Sequence, residues 1–286
     1  MAIGSGSIPL QIQNPALLKI LAVKTNPNAP LIPRGPRGTS AARPYAREAG
    51  YRHLVELAAQ DEYERERGIR LMKVITGDPT KKYIALTFDD GPHGIKTQKL
   101  LDLLHHLQVP ATFFVVGMQA QKFPDLIAQI ALGGHELGNH TFHHYRLPRI
   151  PLEEVPGELN ATRDVLTSIL GSPSRLFRPP GGEYTPEILH IVERNGYVTV
   201  LWTDDPADFK AGRTPEQIKS LVLRDLTPGG IILLHDGLPA TWAALPDMVA
   251  RMRAKGLVFV TVSELIQRGG GLRNVREIRV SRTSAT

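Results

Sequence analysis

From Lys81 onward, short apolar runs rich in β-branched and aromatic residues alternate with amphipathic stretches, and this repetition constrains the fold most. The expected strands are Tyr83 to Phe88, Ala111 to Val116, Glu136 to Asn139, Leu176 to Arg178, Val198 to Trp202, Ile231 to Leu234 and Val258 to Val262. Between them fall expected helices at Ile95 to Leu107, Phe123 to Leu132, Leu152 to Leu170, Pro186 to Asn195, Pro215 to Leu226 and Trp242 to Lys255, with Ser263 to Gln267 closing the last turn. Strand and helix alternating in this way predict an α/β fold, a parallel sheet with outer helices. About seven strands in so short a stretch suggest a closed or nearly closed barrel; a doubly wound open sheet is the alternative.

Residues 1–78 have a different character and read as an N-terminal extension to a domain spanning 79–268. Asn26 to Pro44 holds five prolines among arginines and glycines, an extended and solvated connector. Ala46 to Arg67 then carries Tyr51, Leu54 and Leu57 against Glu48, Glu56 and Glu64 at helical spacing, a helix expected to pack on the main domain. The tail 269–286 is polar and basic.

With 42% hydrophobic and 22% charged residues, the chain can bury a core. Its net charge of +6 and pI of about 9.6 favour an anionic surface such as an acidic wall polymer. Lys and Arg are dispersed and none of the nucleic-acid signatures is present, so nucleic acid is not expected as a partner. No apolar run approaches the roughly 20 residues of a membrane span. Met1 to Gly4 carries no early positive charge and Lys19 interrupts Leu17 to Val23, so this stretch reads poorly as a signal peptide. With no cysteine, any metal must be held by His and carboxylate, a donor set suited to zinc and also to cobalt, manganese or nickel.

Five fragments at the C-terminal ends of expected strands carry side chains that bind metals or move protons. That is the end where loops of a barrel or an open α/β sheet converge into a site. Asp89 and Asp90 are adjacent at the first strand end, and alternation along a strand predicts that they diverge, one binding a metal and one facing the water it activates. His140 and His144 have the i, i+4 spacing that places both imidazoles on one side of a helical turn, with His143 pointing elsewhere. Two His and one carboxylate form a ligand set that leaves a coordination position open. Arg178 can pair with a carboxylate and keep it ionised. Pro179 and Pro180 remove amide donors, so the Gly181 N–H is the next available one, half of an oxyanion hole. His235 can protonate a leaving amine if a carboxylate orients it, with Asp208 the candidate partner and Asp205 the alternative. Leu233, on the same strand face as His235, can floor a small apolar pocket.

Taken in order, Thr87-Phe88-Asp89-Asp90, His140-Thr141-Phe142-His143-His144, Arg178-Pro179-Pro180-Gly181, Asp205 to Phe209 and Leu233-Leu234-His235 resemble the motifs of the polysaccharide deacetylases, carbohydrate esterase family four with its NodB homology domain. The resemblance covers roughly residues 81–267. It implies a distorted (β/α) barrel, an acetylated polysaccharide as substrate, and metal-dependent removal of N-acetyl groups from its N-acetylglucosamine-type residues, with release of acetate, at the cell envelope or outside the cell. It further implies Asp89 as base, with Asp90, His140 and His144 as metal ligands. Arg178 would hold the base, Gly181 would donate to the oxyanion, His235 would act as acid tuned by Asp208, and Leu233 would line the acetyl pocket. Gly181 stands where many members carry an aromatic residue, and Phe209 where many carry Trp. An O-acetyl ester substrate, or an idle carbohydrate-binding protein, are the alternative readings.

Overall fold

The computed structural model describes residues 54–269. Among the described residues there are eight parallel strands: β1 (Lys73–Val74), β2 (Tyr83–Asp89), β3 (Thr112–Val115), β4 (Glu136–Asn139), β5 (Leu176–Phe177), β6 (Val198–Val200), β7 (Ile231–His235) and β8 (Val258–Phe259). The main sheet runs β1-β6-β5-β4-β3-β2-β7, with β8 pairing the start of β2. Beyond β6 the chain returns to β7 through a parallel bridge between Asp204 and Ile232, so the sheet curls back on itself. The result is the expected distorted barrel, with the open-sheet alternative set aside.

The helices are α1 (Leu54–Glu66), α2 (Ile95–Leu107), α3 (Gly117–Lys122), α4 (Pro124–Leu132), α5 (Val155–Leu170), α6 (Pro186–Arg194), α7 (Pro215–Asp225), α8 (Pro239–Ala254) and α9 (Val262–Arg268). Most match expectation within a few residues. The short α3 was not anticipated; Phe123 leaves helical geometry and Pro124 opens α4 because it has no N–H to place inside a helix. Helix α8 begins three residues before the expected start and carries Pro246 within it. Of the stretch 46–67, only the part from Leu54 is described; the connector 26–44 and the tail beyond Gly269 lie outside the described residues.

Side-chain alternation builds the two cores. On β2, Ile84, Leu86 and Phe88 join Phe113, Val115, Ile232 and Leu234 in the layer under the helices. The opposite face holds Ala85, Phe114, Ile231 and Leu233 in a second cluster, together with aromatic residues from later loops. Thr87 and Asp89 have the parity of this second face, so the apolar pattern that buries the strand also sends its polar side chains into the barrel.

Strand β1 lies in the segment read as an extension, and pairs with β6. Its Lys73 is buried between α1 and the barrel, bonding Glu64, Asp61 (2.9 Å) and the Tyr184 hydroxyl (3.1 Å). Burial alone would lower the Lys73 pKa, but Tyr184, Glu64 and Asp61 together hold it above the ordinary value.

His135, at the turn before β4, accepts the Ala111 N–H at its Nδ1 (3.2 Å). Burial, aided by His105, depresses its pKa from 6.5 to about 4. The fold thus prefers the neutral ring: the stability it contributes is present above pH 6.5 and is lost as pH falls towards 4. A shift of this size corresponds to roughly 3 kcal/mol. His135→Asn is expected to flatten the pH dependence of unfolding free energy between those limits, measured by urea denaturation; an unchanged slope refutes this.

Candidate active site

Arg178, the first residue after β5, is fully buried inside the barrel. Its Nη1 donates to Asp89 Oδ1 (2.8 Å) and to Thr87 Oγ1 (2.7 Å). Nε and Nη2 donate to the carbonyls of Val200 (3.2 Å) and Leu201 (3.1 Å), and the guanidinium lies over the Phe114 ring at 4.1 Å. A buried charge is tolerated when it is paired and its donors are used, and both conditions hold here. Asp89 therefore has one oxygen anchored, while the other, Oδ2, is buried with no hydrogen-bond partner among the described residues.

His140 follows β4. Its Nδ1 donates to the Arg178 carbonyl (2.7 Å), which fixes the tautomer and leaves Nε2 as the ring's lone-pair atom. That Nε2 is 3.6 Å from Asp90 Oδ1 and 3.7 Å from Asp89 Oδ2. It is buried without a hydrogen-bond partner among the described residues. His144 Nε2 lies 3.1 Å from the same Asp90 oxygen. Among the described residues, Asp90, His140 and His144 form a set whose ligand atoms all fall within 4.8 Å of one another. Two imidazoles and a carboxylate, with the second ring nitrogen of His140 committed to a carbonyl, fit a divalent metal. Burial would raise the Asp90 pKa, but His144 and His140 outweigh it and hold the carboxyl well below its usual range.

Two sequence expectations need correction. The His140–His144 segment is not a helical turn; Thr141 and His144 adopt left-handed φ of 64° and 61°, and the imidazoles meet because the loop folds over. Three capping contacts shape it: Asn139 Oδ1 accepts the Thr141 N–H (2.8 Å), and Glu158 Oε2 accepts those of Phe142 (3.0 Å) and His143 (2.8 Å). His143 points away, as expected, to Glu158 Oε1 at 2.6 Å. Nor do Asp89 and Asp90 diverge. Asp90 has φ 75°, which breaks strand alternation and brings both carboxylates to the same nitrogen of His140.

His235 pairs in register with Asp89 across β7 and β2. Its Nδ1 meets Asp208 Oδ1 at 2.6 Å, and Asp208 Oδ2 accepts the His235 N–H (3.0 Å) and the Thr241 hydroxyl (2.6 Å). Asp205 instead caps its own turn through the Ala207 N–H (2.6 Å), so Asp208 is the residue that meets His235. Leu233 is buried in the barrel interior, in register with Thr87. In the loop after Arg178, the Gly182 and Glu183 amides donate to Pro179 and Pro180, leaving Gly181 as the donor without a turn bond there. Thr87, Asn139, Glu158 and Thr241 were not assigned roles from sequence. Thr87 shares parity with Asp89, which was a usable signal; Glu158 and Thr241 come from distant helices and gave none.

Burial would lower the His235 pKa, but Asp208, with smaller contributions from Asp90 and Asp89, raises it from 6.5 to about 9. The ring is therefore held protonated through neutral pH and loses its proton as pH rises through about 9. In metal-free protein, Asp208→Asn is expected to return that midpoint to 6.5 or below, read by NMR titration of the His235 ring. A midpoint that stays in place overturns the pairing as its cause.

Residues 76–200 match the family model described as polysaccharide deacetylase. A peptidoglycan-N-acetylglucosamine deacetylase of Bacillus cereus is 38% identical over 192 residues, 65% of this chain and 89% of the relative. A chitooligosaccharide deacetylase of Azorhizobium caulinodans is 39% identical over 166 residues, 58% of this chain and 79% of the relative. Among solved structures, a peptidoglycan N-acetylglucosamine deacetylase bound to a naphthalenyl N-oxidanyl-benzamide superposes with a TM-score of 0.67 at 33% identity, covering 71% of this chain and 95% of that one. A family-four pseudoenzyme of Bacillus anthracis is also similar, with a TM-score of 0.65 at 26% identity, covering 70% of each chain. By sequence, by fold and by the site at its barrel mouth, the chain belongs to the polysaccharide deacetylases of carbohydrate esterase family four.

Proposed function

We propose that this protein is a metal-dependent hydrolase that removes N-acetyl groups from N-acetylglucosamine-type residues of a polysaccharide and releases acetate. The observation that carries this reading is the convergence of Asp90, His140 and His144 beside Asp89, with Arg178 just after β5 bonded both to Asp89 of β2 and to His140 after β4. A divalent ion held by Asp90, His140 and His144, zinc by donor type, would polarise the acetamide carbonyl and lower the pKa of water. Asp89, anchored by Arg178 through Oδ1, accepts the proton of the attacking water at Oδ2. The Gly181 N–H donates to the developing oxyanion. Protonated His235, oriented by Asp208 through Nδ1, delivers its Nε2 proton to the departing amine. Leu233 supplies apolar lining for the acetyl methyl.

We assign the reaction to residues 79–268 and place it at the cell envelope, on peptidoglycan or a chitin-like glycan. The names of the relatives and the basic charge of the chain support that assignment. The pseudoenzyme relative shows that membership alone does not guarantee turnover, but here every position of the proposed machinery is filled.

Asp89→Asn is expected to keep stoichiometric metal by elemental analysis while acetate release falls on the order of 100-fold or more. Unchanged turnover removes Asp89 from the base role. On a panel of chitooligosaccharide, peptidoglycan fragments and acetylated xylan, release is expected from the N-acetylated glycans. Release from xylan alone would make the protein an O-acetyl esterase.

A further inference from the structure

Gly181 and Gly182 both adopt left-handed backbone, with φ of 65° and 69°. Two such glycines in sequence give the segment carrying the Gly181 amide no side chain and little intrinsic stiffness. Contacts from outside must hold it. Gly182 is packed beneath Trp202, whose Cη2 would be 2.6 Å from a Cβ placed there. Further along, the Tyr184 hydroxyl bonds Lys73. Over Gly181 itself lies the guanidinium of Arg146, with Nη1 and Cζ at 2.8 and 2.9 Å from the position of a Cβ. Arg146 Nη1 also forms a short ion pair with Glu183.

Arg146 is well placed for this contact. It sits two residues beyond His144, between buried Tyr145, stacked on His143, and buried Leu147, and its carbonyl accepts the Arg149 N–H (2.8 Å). Its side chain is 13% exposed, so a planar cation is largely buried against Gly181 and Glu183. Nothing in the proposed chemistry uses it.

We propose that Arg146 is a positioning residue for the Gly181 amide: its guanidinium, held by Glu183, fills the volume of the side chain absent at 181 and fixes the glycine pair in its left-handed turn. This rests on the reading of Gly181 as the oxyanion donor. A group acting in this way lowers the barrier more than it strengthens binding, because the oxyanion exists only after attack.

The first test does not need turnover. Hydrogen exchange of full-length Arg146→Ala is expected to be at least 10-fold faster over residues 180–184 and unchanged over 140–144. Unchanged exchange at 180–184 overturns the proposal. If Arg146→Ala fails to fold, Arg146→Lys, which keeps the charge without the planar group, carries the same measurement. In kinetics, kcat is expected to fall 10- to 100-fold with KM within twofold, and added guanidinium is expected to restore part of it. A rise in KM with kcat held overturns the proposal. A Cβ at 181 must itself displace the guanidinium, so Arg146→Ala with Gly181→Ala is expected to be no worse than Gly181→Ala alone; losses that multiply overturn it. If the wild type releases no acetate from any glycan, the functional reading fails, while the exchange experiment still decides the role of Arg146.

Discussion

One guanidinium organises this barrel. Arg178 reaches from β5 to the Thr87 hydroxyl and Asp89 carboxylate of β2 and to the carbonyls of Val200, which ends β6, and Leu201, which follows it, while its own carbonyl receives His140. Its N–H donates to Asn139, the last residue of β4 (3.0 Å). A fully buried cation is costly unless every donor finds an acceptor, so the strands around it are constrained to present those acceptors. Two of the residues it touches, Asp89 and His140, are also ones at which the proposed chemistry occurs. Positioning of the site and satisfaction of the core are here one requirement, and neither can be altered alone.

The Asp90, His140 and His144 cluster depends on backbone that ordinary residues adopt at a cost. Asp90, Thr141, His144 and Ala207 all have positive φ, and each lies in or beside one of the chemical fragments. Such conformations persist only where surrounding contacts determine them. Around His140 those contacts are the Asn139 and Glu158 side chains, which bind the amides that a regular element would have used. The helix α5 that supplies Glu158 is thus as much a part of the site as the loop that carries the histidines.

Much of this was legible in the sequence because strand alternation is a local property. Ile84, Leu86 and Phe88 declare the outer face of β2, and the parity they set sends Thr87 and Asp89 inward without further information. The alternation of strands and helices likewise predicted a parallel sheet with outer helices, while closure into a barrel was only suggested by the number of strands and implied by the family resemblance; placement at strand ends marked His140, Arg178 and His235. What was not legible was any feature decided by tertiary contact. Regular spacing suggested a helical turn at His140–His144 and divergence at Asp89–Asp90, whereas left-handed residues reversed both. The two-residue β1 has no periodicity to read, and its buried Lys73 resembles a surface residue until Glu64, Asp61 and Tyr184 are seen around it. The choice between Asp208 and Asp205 turned on which carboxylate a turn had already consumed.

Asp89 and His235 are directly opposed on neighbouring strands, as are Thr87 and Leu233. Their separation is therefore set by the ladder of main-chain bonds between β2 and β7 and not by loop conformation. Sliding one strand past the other by a single residue would turn an entire row of side chains from the barrel lumen into the helical layer. Loops around this mouth can lengthen or change sequence to suit different glycans, but an insertion within either strand would separate Asp89 from His235 at once.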